Sequence, residues 1–256
     1  MIRFAMLGSG SRGNATLIEA GNTRVLIDCG FNLGVTEARM QNLGIDPASL
    51  AAILVTHEHG DHLGGVARLA RRHGIDVWMT AGTYSAWGDR RVESVHQFSP
   101  HAGWRIGDLD IQPYPVPHDA REPCQYVLAF GGLRVGILSD AGAVTPHMQQ
   151  MLSGCDALML ECNHDAALLD AGPYPYSLKQ RVGGGFGHLN NEQSAGLLRA
   201  VDCSRLQHLV LTHLSETNNR PDLALAAVHH AMDSDASWIV CAHQDEGLAW
   251  REVVSA

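Results

Sequence analysis

Lysine is almost missing from this 256-residue chain: Lys179 is the single example among eighteen basic residues. Any side-chain cation offered to an anionic ligand is therefore an arginine, unless it is Lys179 itself. The net charge of −9 excludes a generic polyanion-binding surface. No run approaches the roughly 18 apolar residues of a membrane helix. The opening residues lack the apolar stretch and small-residue cleavage site of an export signal. The six cysteines (Cys29, Cys124, Cys155, Cys162, Cys203 and Cys241) show neither CxxC spacing nor a small-scaffold framework. Reduced thiols in a cytoplasmic protein account for them. With no linker and no repeat, residues 1–256 are expected to form one domain without membrane association.

What is present is apolar and rich in histidine. Hydrophobic residues make up 45%, enough for a sizeable core, and fifteen histidines are an excess of the commonest metal-ligand side chain. Apolar, β-branched runs predict strands at Ile2–Met6, Ala15–Glu19, Arg24–Asp28, Ala52–Val55, Asp76–Met79 and Asp110–Val116. Others are expected at Gln125–Phe130, Arg134–Leu138, Ala157–Leu160, Leu209–Leu211 and Trp238–Cys241. Helical patterns fit Val35–Leu43, Val66–His73, Thr145–Leu152, Asn191–Val201 and Asp222–Met232. The pair Gly131-Gly132 between two apolar runs signals a hairpin. Strand meanders with helices interposed suit a β-sandwich covered by helices, although other α/β layouts fit the same pattern.

The strongest signal follows the strand Ala52–Val55. Thr56-His57-Glu58-His59-Gly60-Asp61-His62 places four ligand-type side chains in six positions of a Gly-punctuated loop. His57 and His59, two apart, face one side of an extended backbone and can share an ion. Asp61 and His62, at the turn into the next helix, can reach a neighbouring ion. Imidazole and carboxylate ligands suit zinc, manganese or iron, and a shell without thiolate argues against a closed structural zinc site.

This HxHxDH segment resembles the metallo-β-lactamase superfamily. The resemblance implies an α/β fold of four layers, an αββα sandwich, with two divalent metal ions at the strand ends. It also implies ligands downstream: His118 as the third histidine of the first metal, Asp140 as a bridging carboxylate and His213 on the second metal. His243, which also follows a strand, competes for the last position. The chain is similar over most of its length to the WalJ/YycJ-type exonuclease family. The segments that carry the similarity are GSGSRGN at 8–14, THEHGDH at 56–62, ECNHD at 161–165, GHLNNE at 187–192 and HLSETNN at 213–219. LVLTHLS at 209–215 resembles the last-ligand segment of RNase Z. The strand ending at Glu161 and the histidine at His188 resemble that enzyme's catalytic glutamate and leaving-group histidine. The long tRNA-gripping arm of RNase Z has no obvious counterpart, which weakens transfer of its substrate.

The resemblance thus implies a metal-dependent phosphodiesterase that cleaves DNA or RNA, with single-stranded or terminal regions as partners. Asp61 would bind metal and orient the attacking hydroxide, and His188, supported by Glu161, would act as general acid. Hydrolysis of a thioester or lactone on the same fold is the alternative, and a non-catalytic metal-binding scaffold a third. The Gly8–Asn14 loop reads as a tight turn beside the metal loop or as a phosphate cradle. The Lys179–Phe186 segment reads equally as a solvated loop or as a contact for single strands. Asp28 is expected to orient the metal loop by hydrogen bonds, and Cys29 to pack.

Overall fold

Among the described residues two sheets of seven strands are stacked, and each is half antiparallel and half parallel. The computed structural model describes residues 1–89, 91–233 and 237–255. The first sheet opens with β1 (Ile2–Gly8), β2 (Ala15–Ala20) and β3 (Thr23–Ile27), which pair antiparallel. It continues in parallel through β4 (Ala52–Leu54), β5 (Val77–Thr80) and β6 (Val95–Phe98). The second sheet starts antiparallel with β7 (Trp104–Ile106), β8 (Leu109–Pro115), β9 (Cys124–Phe130) and β10 (Leu133–Leu138). It then runs parallel through β11 (Ala157–Glu161), β12 (His208–Thr212) and β13 (Ile239–Cys241). β14 (Leu248–Val253) returns to the first sheet and pairs antiparallel with β1.

Helices cover both outer faces, giving the αββα sandwich that the family resemblance implied. They are α1 (Leu33–Asn42), α2 (Gly60–Leu63), α3 (Val66–His73), α4 (Ala81–Ala86), α5 (Pro146–Leu152), α6 (Ala166–Ala171), α7 (Tyr176–Val182), α8 (Asn191–Ala200) and α9 (Pro221–Met232). Amphipathic spacing decides how α3 lies: Val66, Ala67, Leu69 and Ala70 are buried, while Arg68, Arg71 and Arg72 face solvent. Gly74, with φ of 67°, ends it in a left-handed cap. A capping box between Asn190 and Gln193 starts α8. Among the described residues no helix is long and apolar enough to cross a membrane.

Three apolar layers hold the sandwich together. Phe4, Ile18, Val25 and Leu54 from one sheet meet Tyr126, Leu128, Met159 and Val210 from the other. Leu17, Leu26 and Ile53 pack outward on Met40 and Leu69. Leu158 and Leu209 pack outward on Met148, Leu197 and Val228. Truncating a side chain such as the fully buried Phe4 to alanine would cost about 3–5 kcal/mol.

Several elements depart from the sequence expectation. The predicted strands and helices are present, with ends shifted by a residue or two. Gly131 and Gly132, both left-handed at φ of 58° and 84°, join β9 to β10 as the hairpin signal requires. β6, β7 and β14 were not anticipated. β7 has three residues, while β6 and β14 are edge strands carrying His96 and Gln97 or Arg251 and Glu252, which blur the apolar pattern. Helices α2, α4, α6 and α7, each seven residues or fewer, were also missed because they are too short to show a helical period.

Candidate metal centre

Strand direction gathers the candidate ligands. β3, β4, β10, β11 and β12 all run toward one edge of the sandwich, where open α/β sheets bind ligands. Asp28 follows β3, His57 to His62 follow β4, Asp140 follows β10, Glu161 ends β11 and His213 follows β12. His118 follows β8, which is antiparallel to β9 and so points the same way as β10. Four non-glycine residues among those described have positive φ, and three are Asp28 (60°), Asp140 (52°) and His213 (54°). Left-handed backbone is costly for a residue with a Cβ and concentrates at functional sites. Here it turns Asp140 and His213 off their strand ends into the cleft, and Asp28 onto His62 behind it.

All seven candidate ligands meet there. Donor atoms of His57, His59 and His118 lie within 4.8 Å of one another, as do those of Asp61, His62 and His213. Asp140 links the sets: its carboxylate lies within 4.8 Å of donor atoms of His57 from the first and His62 from the second, with Oδ2 2.7 Å from His62 Nε2 and Oδ1 3.4 Å from His213 Nε2. Asp61 Oδ2 is 3.3 Å from His213 Nε2 and 3.6 Å from His62 Nε2. The competitor His243 is exposed and forms a turn with Gly247, outside every ligand cluster of the described residues.

The donor chemistry fits divalent cations. His57 Nε2 is buried with no hydrogen-bond partner among the described residues, a costly arrangement unless something else satisfies its lone pair. Burial holds His57 well below and His118 below the usual histidine range, so both are neutral donors. Burial acts the same way on His62 and His213, but the carboxylates of Asp140 and Asp61 outweigh it, and Asp28 adds to this for His62, so both are raised. Burial would raise Asp140, yet His213 and His62 hold it well below the usual carboxylate range. These imidazole protons balance the carboxylates, and a cation at the same place would replace them. The residues present can hold metal.

Outer contacts aim the rings. Asp28 Oδ1 accepts from the Thr56 backbone N–H at 2.8 Å, and Oδ2 lies 2.8 Å from Thr56 Oγ1 and 2.7 Å from His62 Nδ1. A Thr56 hydroxyl that donates to Asp28 is left to accept from His57 Nδ1 at 3.0 Å, which directs the His57 lone pair to Nε2. His118 Nδ1 donates to the Gly187 carbonyl at 3.0 Å, with the same effect. The Gly8–Asn14 loop packs against this shell: Asn14 N–H donates to Asp61 O at 2.8 Å, and Ser9 Oγ accepts from His213 N–H at 2.8 Å. A Cβ on Gly30 would stand 1.8 Å from the Asp61 carbonyl oxygen, so only glycine allows this approach. Asp28 thus takes the orienting role expected of it. Cys29 is buried, with Sγ 3.4 Å from Thr36 Oγ1 on the side of α1.

Glu161 and His188 adjoin Asp140. Glu161 is fully buried; Oε2 accepts from Ala141 and Leu189 N–H groups at 3.0 and 3.2 Å, and Oε1 lies 2.7 Å from His188 Nδ1. The same Nδ1 is 3.1 Å from Asp140 Oδ1, and the ring stacks on His213 with centroids 5.3 Å apart. Burial opposes the charged form of His188, but Glu161 and Asp140 outweigh it, and its pKa is raised well above the usual range. An Nδ1–H engaged by carboxylates leaves Nε2 as the ring nitrogen available to a ligand.

A cavity of about 370 Å³ opens over the cluster, walled on one side by Tyr174, Leu178 and Arg181. Sequence reasoning missed Tyr174 and Asp119, and it weighed Lys179 with Arg181. Lys179 Nζ bonds the Asp170 carbonyl, whereas Arg181 reaches the cavity and pairs with Asp119. The position of Asp119 immediately after His118 was the available signal.

This fold and this cleft define a metal-dependent hydrolase. The Beta-lactamase superfamily domain is matched over residues 23–214, a span that includes all seven candidate ligands. The exodeoxyribonuclease YycJ of Bacillus anthracis is 31% identical over 236 residues, covering 91% of this chain and 89% of the relative. The exodeoxyribonuclease WalJ of Streptococcus pneumoniae is 33% identical over 228 residues, covering 87% and 85%. The crystal structure of the metallo-β-lactamase fold protein YhfI from Bacillus subtilis superposes with a TM-score of 0.76 at 15% identity, covering 98% and 100%. The chain belongs to the metallo-β-lactamase superfamily, in the branch that contains YycJ and WalJ.

Proposed function

We propose that this protein is a dinuclear phosphodiesterase that cleaves nucleic acid from an end, with DNA as the favoured substrate. The observation that supports the reading is that Asp140 lies within ligand reach of His57 and His62, one from each cluster of candidate ligands, with the Glu161–His188 pair alongside. His57, His59 and His118 would hold one cation, Asp61, His62 and His213 the other, with Asp140 shared. Nitrogen and oxygen donors favour zinc or manganese, and iron is compatible. Two such cations supply an activated water and neutralise phosphate oxygens.

The remaining work falls to the chain itself. Asp61 accepts a hydrogen bond from the attacking water and fixes its direction. Glu161 accepts the His188 Nδ1–H and favours the protonated ring, and Nε2 delivers its proton to the departing sugar oxygen. A histidine poised as an acid serves an alkoxide leaving group better than a thiolate, which favours phosphodiester over thioester hydrolysis. The names of YycJ and WalJ support DNA.

Zinc- and manganese-loaded protein should degrade end-labelled single-stranded DNA faster than RNA, and chelation should abolish this. Turnover of a thioester with no turnover of either nucleic acid would overturn the reading.

A further inference from the structure

The side of the cavity facing the metal ligands belongs to no candidate catalytic residue. Tyr174 lies between Pro173 and Pro175 in the turn that leads into α7, lines the cavity and is half-buried. Two prolines restrict the backbone on either side, so the ring sits on a pre-organised support. Leu178 and Val182, one and two turns further on, continue the wall as an apolar surface. Arg181 stands at its rim.

Arg181 is already arranged around an anion. Its Nε is 2.5 Å from Asp119 Oδ2, while Asp119 Oδ1 lies 3.5 Å from both His59 Nε2 and His118 Nε2. The arginine side chain is 62% exposed, so a second anion can approach the guanidinium from the solvent side. The wall is also tied to the metal cluster. His188 N–H donates to Val182 O at 2.8 Å, and Gly187 O accepts from His118. A Cβ on Gly142 would lie 2.4 Å from Gly185 C and Phe186 N, so the turn after α7 rests on the Asp140 loop. At about 370 Å³ the cavity is at the small end of ligand sites, which run from roughly 300 to 1,000 Å³. It suits one unpaired nucleotide and not a duplex.

We propose that Tyr174 and Arg181 form the nucleotide-holding wall of the site, with a base stacked on the tyrosine ring and its phosphate on the guanidinium. Asp119 is the counter-ion that orients Arg181. The inference rests on the phosphodiesterase reading and adds its specificity: the wall accepts a frayed or single-stranded end.

Calorimetric binding of dAMP and of inorganic phosphate to zinc-loaded protein tests it. Base–aromatic stacking is worth enough that Tyr174→Ala should weaken dAMP on the order of tenfold. Phosphate binding should move less than about twofold, since it uses no ring. Tyr174→Phe should restore dAMP binding. Arg181→Gln should weaken both ligands by about tenfold through loss of a charge-assisted contact. Arg68→Gln, on the outer face of α3, removes the same charge and should change neither. Equal weakening of dAMP and phosphate in Tyr174→Ala, or unaltered binding in Arg181→Gln, overturns the wall. Wild-type protein that binds dAMP no better than phosphate overturns it as well. Tyr174-dependent dAMP binding without cleavage of any phosphodiester would instead leave the wall standing and refute the proposed reaction.

Discussion

His62 is held between two carboxylates, with Asp28 Oδ2 2.7 Å from Nδ1 and Asp140 Oδ2 2.7 Å from Nε2. Asp28 faces the protein and Asp140 the cleft, so the ring is fixed in the orientation a ligand needs. Outer partners of this kind typically govern 10- to 100-fold in metal affinity. Asp28→Ala should therefore weaken the second metal by roughly that factor, measured by competition with a chromogenic chelator. It also strands the buried Thr56 N–H, so the melting temperature should fall by an amount reflecting about 1–3 kcal/mol. Unaltered affinity in a folded variant would show that His62 is aimed by its packing alone.

His213 and His243 both follow parallel strands, and only the first enters the cleft. His213→Ala should lose one of two bound equivalents in elemental analysis, and His243→Ala should keep both. Loss of metal from the His243 variant alone would move the last ligand to the end of β13.

Much of this arrangement was readable from residues because the parallel strands deliver their ends to one edge. His57, His59, Asp61 and His62 announce themselves by spacing after an apolar run. His118, Asp140 and His213 do so only in the light of the family order, since a lone polar residue after a strand is common. The left-handed backbone at Asp28, Asp140 and His213 leaves no local mark, because none of them is a glycine. Tyr174 was hidden for a different reason. Its role depends on the turn after α7 resting on the loops that carry His118 and Asp140, a contact between residues 118, 142 and 187 that no periodicity encodes.

Burial should make the thiols inert. It raises Cys29 from 9.0 to about 12 and Cys155 to about 11, and it pushes Cys124 and Cys162 up as well. Folding here favours the neutral thiol. This stabilisation is fully present below the unfolded value of 9.0 and is lost as pH rises through about 11 to 12. Iodoacetamide at pH 8 should reach partly exposed Cys203 and Cys241 first, and all six cysteines only after denaturation. Mass spectrometry of the labelled protein locates the sites. Rapid native labelling of Cys29 would mean that the loop carrying Asp28 opens in solution.

The proton donor is the most exacting test, because His188 is within 4.8 Å of Asp140, Glu161 and His213 and could ligate instead of donate. The hydrogen bond of 2.7 Å between Nδ1 and Glu161 favours donation: a nitrogen that carries a proton has no lone pair for a metal. His188→Ala should therefore keep its full metal content and lose activity on DNA. General acid catalysis is typically worth about 10²–10⁴-fold, and the loss should fall in that range. The same variant should lose far less on bis(p-nitrophenyl) phosphate, whose phenolate leaves without a proton. Equal losses on the two substrates would assign His188 to substrate positioning. A missing equivalent of metal would make it a ligand, and the proton for the departing sugar would then have to come from water.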